Sequence, residues 1–267
     1  MKIALLTDIH ANLEALESVL EDVKKHGIED IFSLGDNVGY GPDPVAVLKC
    51  LYQHDVYSLE GNHDFAVVNP KSFSDATHLA IEALEWTRLQ LCQESSENPE
   101  FQHILSNYLG TESSCSFQDD PRITLVHGTP GPDEMRFEYI LEPEDLIQPS
   151  RYMKKKGLRI CFFGHTHHQI LWEVDLEGVS VIDFEPNETI VYTDEEIDCS
   201  WLVVNPGSVG QPRDQNPHAA YLIYEQSNGK HSFTFQRIPY NIEKTINKIY
   251  TIAELDNRLG DRLTIGA

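Results

Sequence analysis

Aspartate, asparagine and histidine recur in this chain directly after short apolar runs. Asp8 and His10 follow Ile3 to Thr7, Asp36 follows Asp30 to Leu34, and Asn62 and His63 follow Val56 to Glu60; His127 follows Ile123 to Val126, and His165 and His167 follow Leu158 to Phe163. Residues two apart in an extended segment point the same way, so Asp8 with His10, and His165 with His167, can each aim two donors at one locus. Oxygen and imidazole donors without thiolates favour manganese, iron, zinc or nickel over magnesium or calcium. The eight groups exceed what one tetrahedral site needs. A carboxylate shared by two ions explains both the excess and the solitary Asp36, and two ions about 3.5–4 Å apart can ionise a shared water and neutralise a phosphoryl oxygen.

The elements that must position these residues read as crossover units. After the first apolar run, Leu13, Leu16, Val19, Leu20 and Val23 repeat at helical spacing, with Asn12 as N-cap and Gly27 as stop. Strands alternating with helices gather ligands at the carboxyl ends of the strands. From Ser74 to about Leu109 the pattern is helical, broken at Asn98-Pro99, and this segment either covers the site or packs on a sheet. Short β runs follow at Ile170–Val174, Val179–Phe184, Thr189–Tyr192 and Trp201–Val204, then a hairpin around Ser227-Asn228-Gly229-Lys230. The stretch from Asn241 to Arg258 reads as helix, and Asp194-Glu195-Glu196 as a hydrated turn. Crossovers in the first half and hairpins in the second predict one domain over 1–267, a four-layer α/β/β/α sandwich of two mixed sheets, with a helical insertion around 74–110.

Composition narrows the partners. The 267 residues carry 43 acidic against 20 basic side chains, a formal charge of −23. Such a charge repels polyanions, so nucleic acid is an expected non-partner. No run of 18 apolar residues is present, so no membrane span is expected. Five scattered cysteines with no close pair read as reduced thiols, and with no signal-peptide pattern at the start the expected location is cytoplasmic.

In this order, DIH, GDN, GNHD, VHG and GHTHH resemble the signature of calcineurin-like metallophosphoesterases, and NPGSVGQPRD, LGDNVGYGPDP and RIPYNIEKTINKI resemble a bacterial phosphodiesterase branch of that family. The resemblance covers nearly the whole chain. It implies a two-metal hydrolase of phosphate esters, acting on a small phosphoester or nucleotide. One divalent ion would take Asp8, His10, Asp36 and His167, and the other Asp36, Asn62, His127 and His165. His63 would serve the leaving group, Asp64 would orient the His63 imidazole, and the Asn62 amide would meet a phosphate oxygen. Related phosphoprotein phosphatases and symmetrical dinucleoside tetraphosphate hydrolases carry an arginine shortly after the bridging aspartate, where this chain reads Asn37-Val38-Gly39-Tyr40-Gly41. Arg213 is the nearest replacement, its alternative being an ion pair with Asp214, and His218 stands where the subgroup often has arginine.

The competing readings are a protein serine/threonine phosphatase acting on a phosphoprotein, a dinucleoside polyphosphate hydrolase, and a metal-binding scaffold without turnover. Blander roles fit other residues. Gly39 and Gly41 read as turn relief, whereas Gly35, Gly61 and Gly164, adjacent to the ligands, suit turn relief and close backbone approach to metal or phosphate equally. His26, His54, His78, His103, His168, His218 and His231 read as solvent-facing.

Overall fold

The computed structural model describes residues 1–73, 76–132 and 136–267. Its strands are β1 (Lys2–Leu6), β2 (Asp30–Ser33), β3 (Tyr57–Ser58), β4 (Ser114–Ser116), β5 (Ile123–Val126), β6 (Ile160–Phe162), β7 (Gln169–Val174), β8 (Val179–Val181), β9 (Thr189–Thr193), β10 (Trp201–Pro206), β11 (Ala219–Ser227) and β12 (Lys230–Ile238). The helices are α1 (Leu13–Lys25), α2 (Pro44–Gln53), α3 (Asn62–Val68), α4 (His78–Glu97), α5 (Pro99–Tyr108), α6 (Ile147–Lys156), α7 (Asp194–Cys199), α8 (Ile242–Thr251) and α9 (Arg258–Asp261).

Two mixed six-stranded sheets form, in the orders β3-β2-β1-β11-β12-β9 and β4-β5-β6-β10-β7-β8. Strand alternation explains how they stack. In β1, Ile3 and Leu5 face the core between the sheets, where they meet Ile160 and Phe162 of β6 and Leu202 and Val204 of β10. Ala4 and Leu6 face the other way, onto Leu16, Val19 and Leu20 of α1 and Leu48 and Leu51 of α2. On the second sheet, Cys161 and Val203 point outward to Met153 of α6. The period-2 pattern thus buries both faces of both sheets and gives the expected helix, sheet, sheet, helix order.

Within each sheet three strands run parallel: β1, β2 and β3 in one, β5, β6 and β10 in the other. Their carboxyl ends therefore share one rim. Asn12 closes the first of these ends. Its side chain accepts from Ala15 N at 3.2 Å as the N-cap of α1, accepts the Thr245 hydroxyl at 3.0 Å, and donates to Gly210 O at 2.9 Å.

Several expectations need correction. The run at Val56–Glu60 yields only two strand residues, and Val179–Phe184 yields three. The C-terminal stretch is not one helix to Arg258. Ile252 leaves helical geometry after α8, and Leu255, Leu259 and Leu263 fold back onto Ile249, Ala83 and Trp86. Asp194-Glu195-Glu196 is the first turn of α7, fixed by a capping box in which Thr193 accepts from Glu196 N and Glu196 accepts from Thr193 N. His231 is buried, with its ring nitrogens bonded to the Tyr224 hydroxyl at 2.6 Å and Asp194 at 3.0 Å. Helices α2 and α6 lie in stretches for which the sequence reading assigned no element. Helices α4 and α5 fill the stretch expected to be helical; its start at Ser74 falls outside the described residues. Leu84, Leu91, Phe101 and Tyr108 pack against the first sheet's helices, while Thr77 and Ala80 line a cavity at the rim.

All five cysteines are free. No helix among the described residues is long and apolar enough to cross a membrane.

Replacing Asn12 by Ala removes a cap and leaves the Gly210 carbonyl without its buried donor. The expected cost is about 2–3 kcal/mol. It should appear as a lower urea midpoint at constant slope. A cost under about 0.5 kcal/mol would mean that the Asn12 bonds do not hold the first turn to the loop at Gly210.

Candidate metal centre

Every predicted donor sits on the shared rim, but the route by which they converge differs from simple strand alternation. Strand β1 ends at Leu6 and β6 at Phe162, so neither donor pair lies in extended backbone. Asp8, His10, Asp36, His165 and His167 instead have φ of 52°, 46°, 56°, 67° and 61°. Non-glycine residues in this left-handed region each cost on the order of 1–3 kcal/mol and persist only where surrounding bonds hold them. Those bonds are present. Asp8 N donates to Gly35 O and His10 N to Asp36 O, while Gly210 N and the Ser208 hydroxyl both donate to Asp8 O. Asn205 Nδ2 donates to Gly164 O and Thr166 Oγ1, fixing the GHTHH turn to β10.

Each carboxylate is split into a tied oxygen and an aimed one. Asp8 Oδ2 accepts from the Thr7 hydroxyl and His165 N at 2.8 and 3.0 Å, leaving Oδ1 buried without a hydrogen-bond partner. Asp36 Oδ1 accepts from His63 N at 2.7 Å, and its Oδ2 lies 3.7 Å from His10 Nε2 and 3.4 Å from His127 Nε2. One oxygen therefore faces imidazoles of both donor groups.

The imidazoles are oriented from behind. Nδ1 of His10, His127 and His167 meets the carbonyls of Val38, Leu34 and Gln211 at 3.2, 3.0 and 2.6 Å. A carbonyl can only accept, so each Nδ1 carries a proton, and the neutral rings of His10 and His167 each present a bare Nε2. His10 Nε2 and His167 Nε2 then face one another at 3.2 Å, with Asp8 Oδ1 at 3.8 and 3.2 Å. Three lone-pair donors with no proton between them fit a cation. Burial holds His10 and His167 well below the usual imidazole range, which keeps both rings in the ligating form. His165 is likewise pushed down to about 3, chiefly by burial, and its Nε2 is buried without a partner. His127 differs: burial opposes its charge but Asp36 outweighs burial and raises it to about 9. Asp36 itself is driven below the usual carboxylate range, as His127 and His63 overcome its burial.

Three trios bring ligand atoms within 4.8 Å of one another: Asp8, His10 and His167; Asp36, His127 and His165; and His10, Asp36 and His63. Asn62 Oδ1 joins the second at 3.0 Å from His127 Nε2. Oxygen and imidazole atoms in these numbers fit two divalent ions sharing Asp36. His63 stands edge-on to His10 at 4.8 Å between ring centres, and burial lowers it to about 4.

The expected pairing of Asp64 with the His63 ring is not formed. The Asp64 carboxylate accepts from the backbone of Asn37, Val38 and Gly61 at 3.0 to 3.3 Å and from Asn37 Nδ2 at 3.3 Å. Its place as the third residue of α3 turns it toward those N–H groups and away from the imidazole beside it. Gly39 is more than turn relief, since φ is +89° and a Cβ there would come 2.5 Å from His63 Nδ1. A Cβ at Gly61 would come 2.1 Å from Asp36 Oδ1, so this glycine makes room for the Asp36 carboxylate.

Aromatic residues unnoticed in the sequence wall the site. Tyr139 stacks on His165 at 3.8 Å and 26°, and Phe137 stands edge-on to His127 at 6.1 Å. With Tyr40 and Phe65 they border a cavity of about 460 Å³ that opens onto Asn62, His63 and His165. Phe137 and Tyr139 lie in a loop without periodicity, so nothing in the sequence signals their role. Asp214 pairs with Arg237. Arg213 is thereby left with a 3.3 Å bond to Gln211 Oε1 and a buried, unpartnered Nε.

Comparison with known proteins accords with this geometry. A protein of Methanocaldococcus jannaschii described as uncharacterized is 33% identical over 264 residues, covering 99% of this chain and 98% of that one. The crystal structure of a metallophosphoesterase from Sphaerobacter thermophilus matches with a TM-score of 0.76 at 31% identity, covering 100% of this chain and 99% of the other. A hypothetical protein from Pyrococcus horikoshii shares the fold, with a TM-score of 0.71 at 18% identity over 100% and 98% of the two chains. Residues 1–229 match the model of the calcineurin-like phosphoesterase superfamily domain. With its buried aspartate and histidine clusters at the ends of paired parallel strands, the chain belongs to the calcineurin-like phosphoesterase superfamily.

Proposed function

We propose that this protein hydrolyses phosphate esters with two divalent ions, as a phosphodiesterase or phosphatase of small organic phosphates. The observation that carries this reading is the single Asp36 oxygen facing imidazoles of two donor groups. Asp8, His10, Asp36 and His167 would hold one ion, and Asp36, Asn62, His127 and His165 the other. When bound, the ions would supply an activated water and neutralise charge on the phosphoryl group.

The chain's own residues do the rest. Asn62 ligates through its carbonyl oxygen, which leaves its amide N–H groups for a phosphate oxygen. Arg213 offers a fork suited to phosphate. His63, buried beside Asp36, donates toward the departing oxygen, and Asp64 acts at one remove by holding the loop at Asn37 and Val38. Tyr40, Phe65, Phe137 and Tyr139 give the organic part of a substrate an apolar wall. That cavity favours a small molecule over a phosphoprotein, whose phosphorylated side chain would leave most of it unfilled. A metal-binding scaffold without turnover would use the aimed carboxylate oxygens but would have no need of the cavity beside them.

Asp36→Asn should lose both ions and nearly all activity, because an amide cannot bridge with the same charge. Metal analysis of the purified variant decides this, and two tightly held ions would remove Asp36 from the bridging role.

Chelation should abolish activity, and manganese or nickel should restore it better than magnesium, which prefers an all-oxygen shell with retained waters. Full recovery with magnesium alone at low concentration would contradict the ligand set.

His63→Asn tests leaving-group assistance, which is typically worth about 10²–10⁴-fold. Alkyl esters should suffer far more than nitrophenyl esters, whose leaving groups depart nearly unaided, while two metals stay bound. Equal losses would make His63 a phosphate-positioning group, and loss of a metal would make it a ligand.

A further inference from the structure

Of the nine arginines, Arg122, Arg136, Arg237 and Arg258 have a side-chain carboxylate within 4.0 Å among the described residues, and the other five do not. Two of those five, Arg213 and Arg262, stand at the rim of the metal centre, where burial makes a lone guanidinium costly. Among the described residues, no side-chain carboxylate lies within 4.0 Å of Arg213 or Arg262. Arg213 has one long bond, to Gln211, and a buried Nε with none. Arg262 spends its Nε on the Ala267 carbonyl at 2.8 Å, and its guanidinium lies 5.4 Å from the centre of the Tyr40 ring.

Their positions are built, not incidental. Arg213 N donates to His167 O, which seats that residue against the GHTHH turn. Leu259 and Leu263, on either side of Arg262, anchor the C-terminal turn on Ala83 and Trp86. The same turn is tied to the Arg213 loop by Gln215 N donating to Gly266 O at 2.9 Å. Tyr40 connects this turn to the metal centre, since its ring lies tilted against His63 and His10, at 4.5 and 4.8 Å between ring centres, while Arg262 sits over it. Two like charges are thus held half-buried on the side of His63. Burial, and then the charge of Arg213, lowers Arg262 to about 10, so the pair is disfavoured until an anion joins it.

We propose that Arg213 and Arg262 form an anion subsite on the His63 side of the metal centre, which takes a second phosphoryl group of a condensed-phosphate substrate such as a nucleoside polyphosphate. The proposal rests on the hydrolase reading above for the direction of attack. His63 marks the leaving-group side, so Arg262 lies where the leaving group goes. An alkoxide that departs as a neutral alcohol has nothing for a second guanidinium to bind, whereas a phosphate leaving group retains charge and acceptor oxygens for a planar fork. The aromatic cavity, whose wall includes Tyr40, suits the nucleobase of such a molecule.

The test uses non-hydrolysable probes on metal-loaded protein freed of unbound metal. Methylenediphosphonate and methylphosphonate are titrated by calorimetry into the wild type, Arg262→Ala and Arg262→Lys, with metal content checked after each titration. Because both probes can reach the metals, the deciding quantity is the ratio of their affinities. That ratio should favour the diphosphonate in the wild type and fall roughly tenfold or more in Arg262→Ala, the loss of a charged hydrogen-bond pair. Arg262→Lys, which keeps the charge and most of the packing, should fall between them. A ratio that is the same in all three proteins, or no diphosphonate preference in the wild type, overturns the subsite. Turnover of a phosphoester panel, measured alongside, separates the two readings. Active protein with an indifferent ratio loses only the subsite, and inactive protein with a collapsing ratio loses only the hydrolase.

Discussion

Carboxylate oxygens and unprotonated imidazole nitrogens repel one another once water is removed from between them, and this chain drives them together from five strand ends. The arrangement costs free energy several times over. The aimed oxygen of Asp8 and Nε2 of His165 lie buried without hydrogen-bond partners, which is expensive for charged or polar groups. Five donor residues occupy left-handed backbone that their side chains disfavour. Carbonyls of Val38, Leu34 and Gln211 fix the proton on the far side of three rings, so those rings cannot relieve the crowding by rotating or by sharing a proton in neutral form. A divalent cation would offset the desolvation of these donors and the repulsion between their lone pairs, while the backbone cost is met by the hydrogen bonds that hold the turns. The clusters are consistent with a dinuclear metal site.

The same constraint explains why two sheets are needed. Asp8, His10, Asp36, Asn62 and His63 come from the rim of the first sheet, and His127, His165 and His167 from the rim of the second. The apolar core between the sheets sets their separation, and the loop from Asn205 to Gln211 stitches the rims together. Ser208 and Gly210 hold Asp8, and Asn205 holds the turn at Gly164. A residue such as Asn205 touches none of the donors through its side chain, yet it bonds the turn carrying two of them. Errors of about 1 Å in such a site are costly to catalysis, which is reason enough for a buried polar network where an apolar core would be more stable.

Much of this was legible before any coordinates. The donors declare themselves because each is a polar residue placed just beyond an apolar run, and the unbroken apolar run from Ile3 to Leu6 implies a strand buried on both faces. The N-cap at Asn12 and the hairpin at Asn228-Gly229 are likewise local, so local reading finds them. What stayed hidden is non-local. The left-handed turns at Asp8 and His165 are imposed by bonds from loops far along the chain, and extended geometry was the natural but mistaken assumption. The pairing of Asp64 with His63 is what the family resemblance implies, since a catalytic histidine commonly relies on a hydrogen-bonded carboxylate. On a helix, adjacent residues diverge by about 100°, and the carboxylate caps the Asn37 loop instead. His231 looked like a surface residue because nothing nearby reveals that Tyr224 and Asp194 enclose it.

A further division separates what the sequence declares from what it conceals. Residues that would hold metal lie at strand ends, where element type and position are both readable. Residues that would meet the substrate lie on irregular segments: Tyr40 in the turn after β2, Phe137 and Tyr139 in the loop after β5, Arg213 after β10, and Arg262 in the last turn. None has a periodic neighbourhood; Arg213 is named in the sequence only through the family comparison, and the shared location of all of them depends on how four separate segments pack. On the proposed hydrolase reading, the metal-holding residues belong to the part of the chain that alternation and crossover dictate, and the substrate-facing residues to the part that they do not. A fold match speaks to the first and is silent on the second. The unpaired guanidiniums and the aromatic wall are features of this chain's own loops, and the choice of phosphate has to be sought there.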